Sequence, residues 1–351
     1  MSQKQLRDTA IRHAVLLEQL KAGEIKDLQR YYRQLDKLIR ELLTRQELTE
    51  LTPKRYQQFL KNAQKEIQTI LEDMAEKVSH KLTDIALYEA EFEQKNLTKT
   101  LGEKFKSIAK TTLISSLAVI PLQVSGSIAG KTVNEAINII PIESQRLINA
   151  IKVSVAQGKS NAEIITSIRG TKANQYTDGI LNVSRNSIDS TVRTLIGHTA
   201  TVAKETLYKA NDSAIEGVQW VSTLDRRTTS TCAALDGQIF RQGEGPRPPL
   251  HYNCRSVVIP VTRLSRLFSQ GTTRASETGQ VSGDLTYYSW LQRQSSTFQD
   301  QALGPVRGQL FRDGGLSAER FAQLQIDRNF RPITLARMRE LEPLAFERAG
   351  L

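Results

Sequence analysis

The chain has 351 residues, 39% of them hydrophobic and 24% charged, with only two cysteines, Cys232 and Cys254. That is a soluble, globular balance of about two domains, on a prior of roughly 150 residues each; two cysteines exclude a disulfide scaffold. Lys and Arg total 48 against 37 Asp and Glu, a net charge of +11, which favours polyanion partners such as DNA. The surplus is scattered: residues 1–50 carry ten basic and eight acidic groups, and residues 51–100 carry eight of each. No Lys/Arg stripe stands out, so a solvated surface is the plainer reading than a DNA groove. Residues 1–12 are polar and lack the apolar stretch of a secretion signal, so folding in a reducing cytoplasm is expected.

The first hundred residues read as long helices. Leu28, Tyr32, Leu35, Ile39 and Leu42 alternate spacings of four and three, a heptad-like stripe. After a break at Leu48–Pro53, Thr52 is placed to cap a helix that has proline in its first turn. Tyr56, Leu60, Ala63, Ile67, Ile70 and Met74 continue the spacing, and Val78, Leu82, Ile85, Tyr88 and Phe92 extend it with drift. A helix over Pro53–Asn96 would be roughly 65 Å long. The two stripes are expected to pair as a hairpin, and their flanks leave surface for self-association.

Thr111 to Gly130 is uncharged and long enough to span a bilayer. It also holds Pro121, Gly126, Gly130, Gln123 and four serines, which would face lipid unsatisfied. Buried strand or loop packing is the expectation, with no stable membrane span. Glu143 to Ala156 reads as a helix closed by Gly158. Ser160-Asn161-Ala162-Glu163 is a capping box that opens a short helix ending at Gly170. A polar loop to Ser184 precedes a helix from about Ile188 to Ala210.

Beyond Gly217 the texture changes to short strands and turns: a strand at Val218–Val221, a Gly/Pro-rich stretch, and a strand at Val257–Ile259 stopped by Pro260. Thr272 to Gly283 reads as a linker of small residues, and Tyr287 to Leu351 as helix. The fold class is therefore mostly α with a small α+β module. The segments are a helical arm or hairpin (1–105), an apolar stretch with a helical middle (106–216), the α+β module (217–265), a linker (266–284) and a helical C-terminal extension (285–351).

The module carries the chemistry. Trp220 anchors a small core, and Asp225, Arg226 and Arg227 follow the first strand. Cys232, Asp236-Gly237 and Phe240 form a turn and return. Pro248-Pro249-Leu250-His251-Tyr252-Asn253-Cys254-Arg255 is a rigid approach to the second strand. Cys232, His251 and Cys254 can converge, and Asp225 or Asp236 can join them; three or four such side chains are what zinc needs. As a thiol nucleophile pair, His251 and Cys254 are disfavoured, because three residues apart beside a strand they would point to opposite faces.

This arrangement resembles the phage Mu protein F-like family of head-morphogenesis, or minor head, proteins. The resemblance rests on Trp220, the Ser222–Thr228 run with Asp225 and Arg226, Cys232, Asp236-Gly237, and the Pro249, His251, Asn253, Cys254 and Arg255 motif. Tyr288-Ser289-Trp290-Leu291, Gln294, Gln299, Leu303-Gly304 and Arg307 resemble a C-terminal extension of some members. It implies a structural, non-enzymatic protein in the head of a tailed phage, assembled in the host cytoplasm. Its partners would be the portal protein, the major capsid protein or packaged DNA, and its role head morphogenesis or DNA packaging and delivery. Many relatives carry further cysteines where this chain has Thr229 and Ser256. Zinc at Cys232, His251 and Cys254 would thus lack ligands, and free thiols or a disulfide are the expected state. The alternative is a virion protein ejected with the genome, membrane-active or toxin-like in the host. No His-Glu-x-x-His, Gly-x-Ser-x-Gly or Gly-x-x-x-x-Gly-Lys occurs. The Glu89-Ala-Glu91 and Glu91-Phe-Glu93 pairs read as a solvated helix face rather than a transferase motif.

Overall fold

The computed structural model describes residues 3–262 and 273–351. Eight helices come first: α1 (Gln3–Asp27), α2 (Gln29–Thr44), α3 (Pro53–Leu101), α4 (Lys110–Val119), α5 (Val133–Ile137), α6 (Ile139–Ala156), α7 (Asn161–Arg169) and α8 (Ile180–Ala210). The module follows as β1 (Ile215–Val221), α9 (Ser230–Leu235), β2 (Ile239–Arg241), β3 (Val257–Thr262), β4 (Thr273–Ser276) and β5 (Gly279–Ser282). The chain ends in α10 (Tyr287–Leu291), α11 (Ser296–Leu303), α12 (Pro305–Asp313), α13 (Ala318–Gln323), α14 (Leu335–Leu341) and α15 (Pro343–Arg348). The expected fold class, mostly α with a small β-containing module, is what the chain adopts.

The 49-residue α3 is the spine, roughly 74 Å long at 1.5 Å per residue. It packs against α2, as the paired stripes imply, but its larger partners are α8 and α6. One apolar core runs from Leu17 to Ala203, so the N-terminal helices share their interior with the helical middle. Proline opens α3 as expected, but the Thr52 hydroxyl makes no capping bond. The capping box at Ser160 and Glu163 is formed in both directions. α8 starts at Ile180, earlier than the loop expected to run to Ser184.

The drift along α3 has a consequence. A straight helix turns every 3.6 residues, so a heptad stripe slides off the buried face. Past Ile85 the buried positions become Ala86, Glu89, Ala90 and Glu93, while Tyr88 is exposed. The reading of these glutamates as a solvated face is corrected: only Glu91 fits it, at 63% side-chain exposure. Glu89 accepts a hydrogen bond from His13 of α1 at 2.7 Å and faces Lys204 of α8 at 3.5 Å. Tyr208 donates to Glu93 at 2.7 Å. Burial pushes the Glu89 carboxyl up, but the His13 hydrogen bond and the Lys204 charge outweigh it and hold it below its ordinary value.

Residues 111–130 are neither strand nor wholly loop. The first nine belong to the ten-residue α4, which buries Leu113 and Leu117 and exposes Ile114 and Val119. At roughly 15 Å, α4 reaches half the depth of a bilayer core, and no helix among the described residues is long and apolar enough to cross a membrane. The chain then closes on itself, with Leu122 N–H donating to Lys131 O at 2.9 Å and Gly130 N–H to Leu122 O at 3.0 Å. Leu122, Val124 and Ile128 are buried.

The second core joins the module to the C-terminal helices. Trp220, Leu224 and Cys232 share it with Tyr287, Tyr288, Trp290, Phe311 and Phe321. The sheet is antiparallel in the order β2-β1-β3, with Trp220 opposite Val258 and Val218 opposite Pro260. Pro260 does not stop β3, because β3 is an edge strand, where a missing donor is tolerated. A side chain on Gly217 would meet the Phe240 carbonyl oxygen at 2.2 Å, so glycine permits the close approach of β2. Of the expected linker, residues 266–272 lie outside the described residues. The rest is corrected to a hairpin, with β4 and β5 paired from Thr273 with Ser282 to Ser276 with Gly279. The two-residue connection Glu277-Thr278 supplies the tight turn. Helix α1 bridges the two cores, with Leu17 in one, Leu6 in the other, and Ala10 against Val221 and Ile259.

Candidate functional site

The loop before β3 is held from three sides. It opens with the cis Pro248–Pro249 peptide, both prolines buried, directly before Leu250 and His251. Asn253 adopts φ 57°, a left-handed conformation that asparagine tolerates. Its N–H donates to the Thr194 hydroxyl of α8 at 3.1 Å, and its amide to Ser190 at 3.0 Å. Lys21 of α1, itself buried, donates to the Cys254 carbonyl at 3.3 Å. Tyr252 meets Ser127 at 2.9 Å.

The turn at 251–253 breaks the strand geometry, so His251 and Cys254 do not point apart as expected. Both converge with Cys232 of α9, and the three ligand atoms lie within 4.8 Å of one another. Cys232 Sγ is 3.2 Å from His251 Nε2 and 3.7 Å from Cys254 Sγ. That second distance is far beyond a disulfide bond of about 2.05 Å, and both cysteines are free and buried. His251 Nδ1 donates to the Tyr252 carbonyl at 2.9 Å, which fixes the ring. The hydrogen bond with Cys232 holds the Cys254 thiol well below its ordinary value against the opposing effect of burial, with His251 adding to the fall. The same bond and burial push Cys232 up. Burial pulls His251 down, but the Cys254 sulfur outweighs it and the net movement is upward. His251 also lies on the wall of a cavity of about 780 Å³, together with Gln123, Thr229, Thr231, Pro246 and Phe330.

The two aspartates do not join this cluster. Asp225 takes both guanidinium nitrogens of Arg255, one of them at 2.9 Å, and also accepts from the Arg227 N–H and the Thr228 hydroxyl. Burial pushes its carboxyl up, but the Arg255 bonds outweigh that and leave it lowered. Asp236 turns the other way. It accepts from the Ser222 N–H at 2.7 Å and pairs with Arg274 of β4 through contacts of 2.8 and 3.0 Å. Gly237, at φ 85°, completes that turn and returns the chain to pair with Trp220. Trp220 is fully buried, and its ring N–H donates to Ser222 at 2.9 Å. Arg226 is exposed and holds Glu277 in the hairpin turn at 2.8 Å through its Nε.

Several partners were not read from the sequence. Arg274 lay in the supposed linker, and Lys21 in a helix more than two hundred residues away. Tyr287, whose hydroxyl donates to the Asp225 carbonyl at 2.8 Å, directly precedes the aromatic run at Tyr288–Trp290, which was the signal available for it.

Residues 145–259 match the family model described as Phage Mu protein F like protein. No curated protein and no solved structure matches the chain.

Proposed function

We propose, from the match of residues 145–259 to the phage Mu protein F-like family, that this chain is a minor structural protein of a tailed-phage head. The family ties it to the head of a bacteriophage as a structural component. The finer reading is ours: the chain sits near the portal or on the inner capsid surface, assists head morphogenesis or DNA packaging and delivery, and assembles in the host cytoplasm before residing in the virion. We assign it no catalytic role.

The family match carries this reading, and the way the motif residues are used supports it. Asp225 is taken up by Arg255, Asp236 by Arg274, Asn253 by Thr194 and Ser190, and Trp220 by the core. These are architectural contacts, and we propose the same role for Pro249, Gly237 and Arg226. We also propose the segments 1–105, 106–216, 217–265 and 285–351 as its working parts. The first two share one interior; the last two share another, which Leu6, Leu97 and Phe105 of the first and Leu207, Tyr208 and Ile215 of the second also enter.

A second reading, ejection with the genome and action in the host, draws on α4, whose Ile114 and Val119 face outward. Co-expression separates the possibilities. With the portal and major capsid proteins of the same phage, the chain is expected to co-purify with portal rings or capsid shells. Retention by neither, together with leakage of anionic liposomes, would favour the second reading.

A further inference from the structure

We propose that Cys232, His251 and Cys254 form a binding site for one thiophilic divalent cation, with zinc the best fit. Zinc bound at about 2.3 Å to two thiolates in a tetrahedron sets those sulfurs roughly 3.8 Å apart. Here they are 3.7 Å apart with no bond between them. The imidazole completes a third corner, its Nε2 on the sulfurs and its Nδ1 committed to the Tyr252 carbonyl. Metal-bound histidines are oriented by such a bond on the far nitrogen. The supports are rigid: α9 carries Cys232, Ser222 donates to the Cys232 carbonyl at 2.6 Å, and Lys21 holds the Cys254 carbonyl. The cavity beside His251 is the entry path and leaves the fourth position to a water or an external donor.

Counting cysteines in the sequence argued against this site, because Thr229 and Ser256 stand where further thiols would complete four ligands. The geometry reverses that count, since three protein ligands with an open fourth position is itself a zinc arrangement. On binding, each thiol gives up its proton to solvent and the cation takes the two thiolates and the neutral imidazole. The ion would then clasp α9 to the loop before β3, across 22 residues of chain.

The test uses the full chain, purified without a histidine tag. Zinc content by plasma mass spectrometry is expected near one per chain, and titration with cobalt(II) should give thiolate-to-cobalt absorption saturating at one equivalent. Cys254→Ser and His251→Gln should abolish that absorption while the circular dichroism stays native. Should either variant not fold, the wild type still decides: chelation should release the zinc and lower Tm. A folded wild type with no zinc, no cobalt absorption and two freely reacting thiols would overturn the site. A Cys232–Cys254 disulfide in protein purified from a reducing cytoplasm would overturn it as well.

Discussion

Asp236→Ala is expected to lower stability to unfolding by about 3–5 kcal/mol, the cost of leaving one member of a buried ion pair unpartnered. The Asp236 and Arg274 side chains are 0% and 2% exposed. Arg274 also donates to the carbonyls of Leu285 and Ser222, so in the variant it cannot swing into water without giving up both of those anchors as well. The carboxylate in turn holds the Ser222 N–H at the end of β1. Losing it therefore strands a charge and an amide together. Urea denaturation is the measurement. Asp236→Ala combined with Arg274→Met should recover part of the loss, because an apolar pair carries no desolvation penalty. A single-variant loss under about 1 kcal/mol, the range of exposed pairs, would mean that the hairpin is not anchored this way.

Between pH 7 and pH 5 the wild type should lose roughly 2 kcal/mol of stability that His198→Gln does not lose. His198 is buried in α8, its ring held 3.1 Å from the Ile120 carbonyl. Burial pulls its pKa from the ordinary 6.5 down to about 4. The unfolded chain takes up a proton as pH falls through 6.5, and the folded chain does not until about 4. Across that window the unfolded state binds more protons, so stability falls with falling pH. Glutamine keeps an N–H for Ile120 and removes the titration. Carboxylate effects are common to both proteins, so the difference between their two pH curves isolates the histidine. Parallel curves would show that His198 is not held neutral. The contact matters beyond stability, because it ties the end of α4, midway along the uncharged 111–130 stretch, to the core. Acid should loosen that stretch first, visible as faster amide exchange at Leu122–Lys131.

The periodic parts of the fold were legible. Heptad spacing located α2 and most of α3, the Ser160–Glu163 pattern located α7, and β-branched runs located β1 and β3. Local signals failed where tertiary partners decide. The 111–130 stretch was expected to pack as buried strand or loop, yet it became α4 and a closed loop once Leu113 and Leu117 found the helical core. Glu89 and Glu93 looked solvated, because nothing nearby in sequence announces that His13, Lys204 and Tyr208 will meet them. The hairpin at 273–282 was hidden for the same reason. Thr-Arg-Ala-Ser is a weak strand, and its Arg274 becomes structural only beside an aspartate 38 residues away. At the candidate site, the three converging residues were legible as a set. Their geometry was not, since it depends on the turn at Asn253 and its anchorage to α8.

The central claim, that this chain is a structural part of the phage head, is tested most directly by quantitative mass spectrometry of purified, nuclease-treated particles before and after triggered genome release. The account predicts a few copies per particle, retained with the emptied heads. Absence from mature particles, or departure with the DNA, would contradict it.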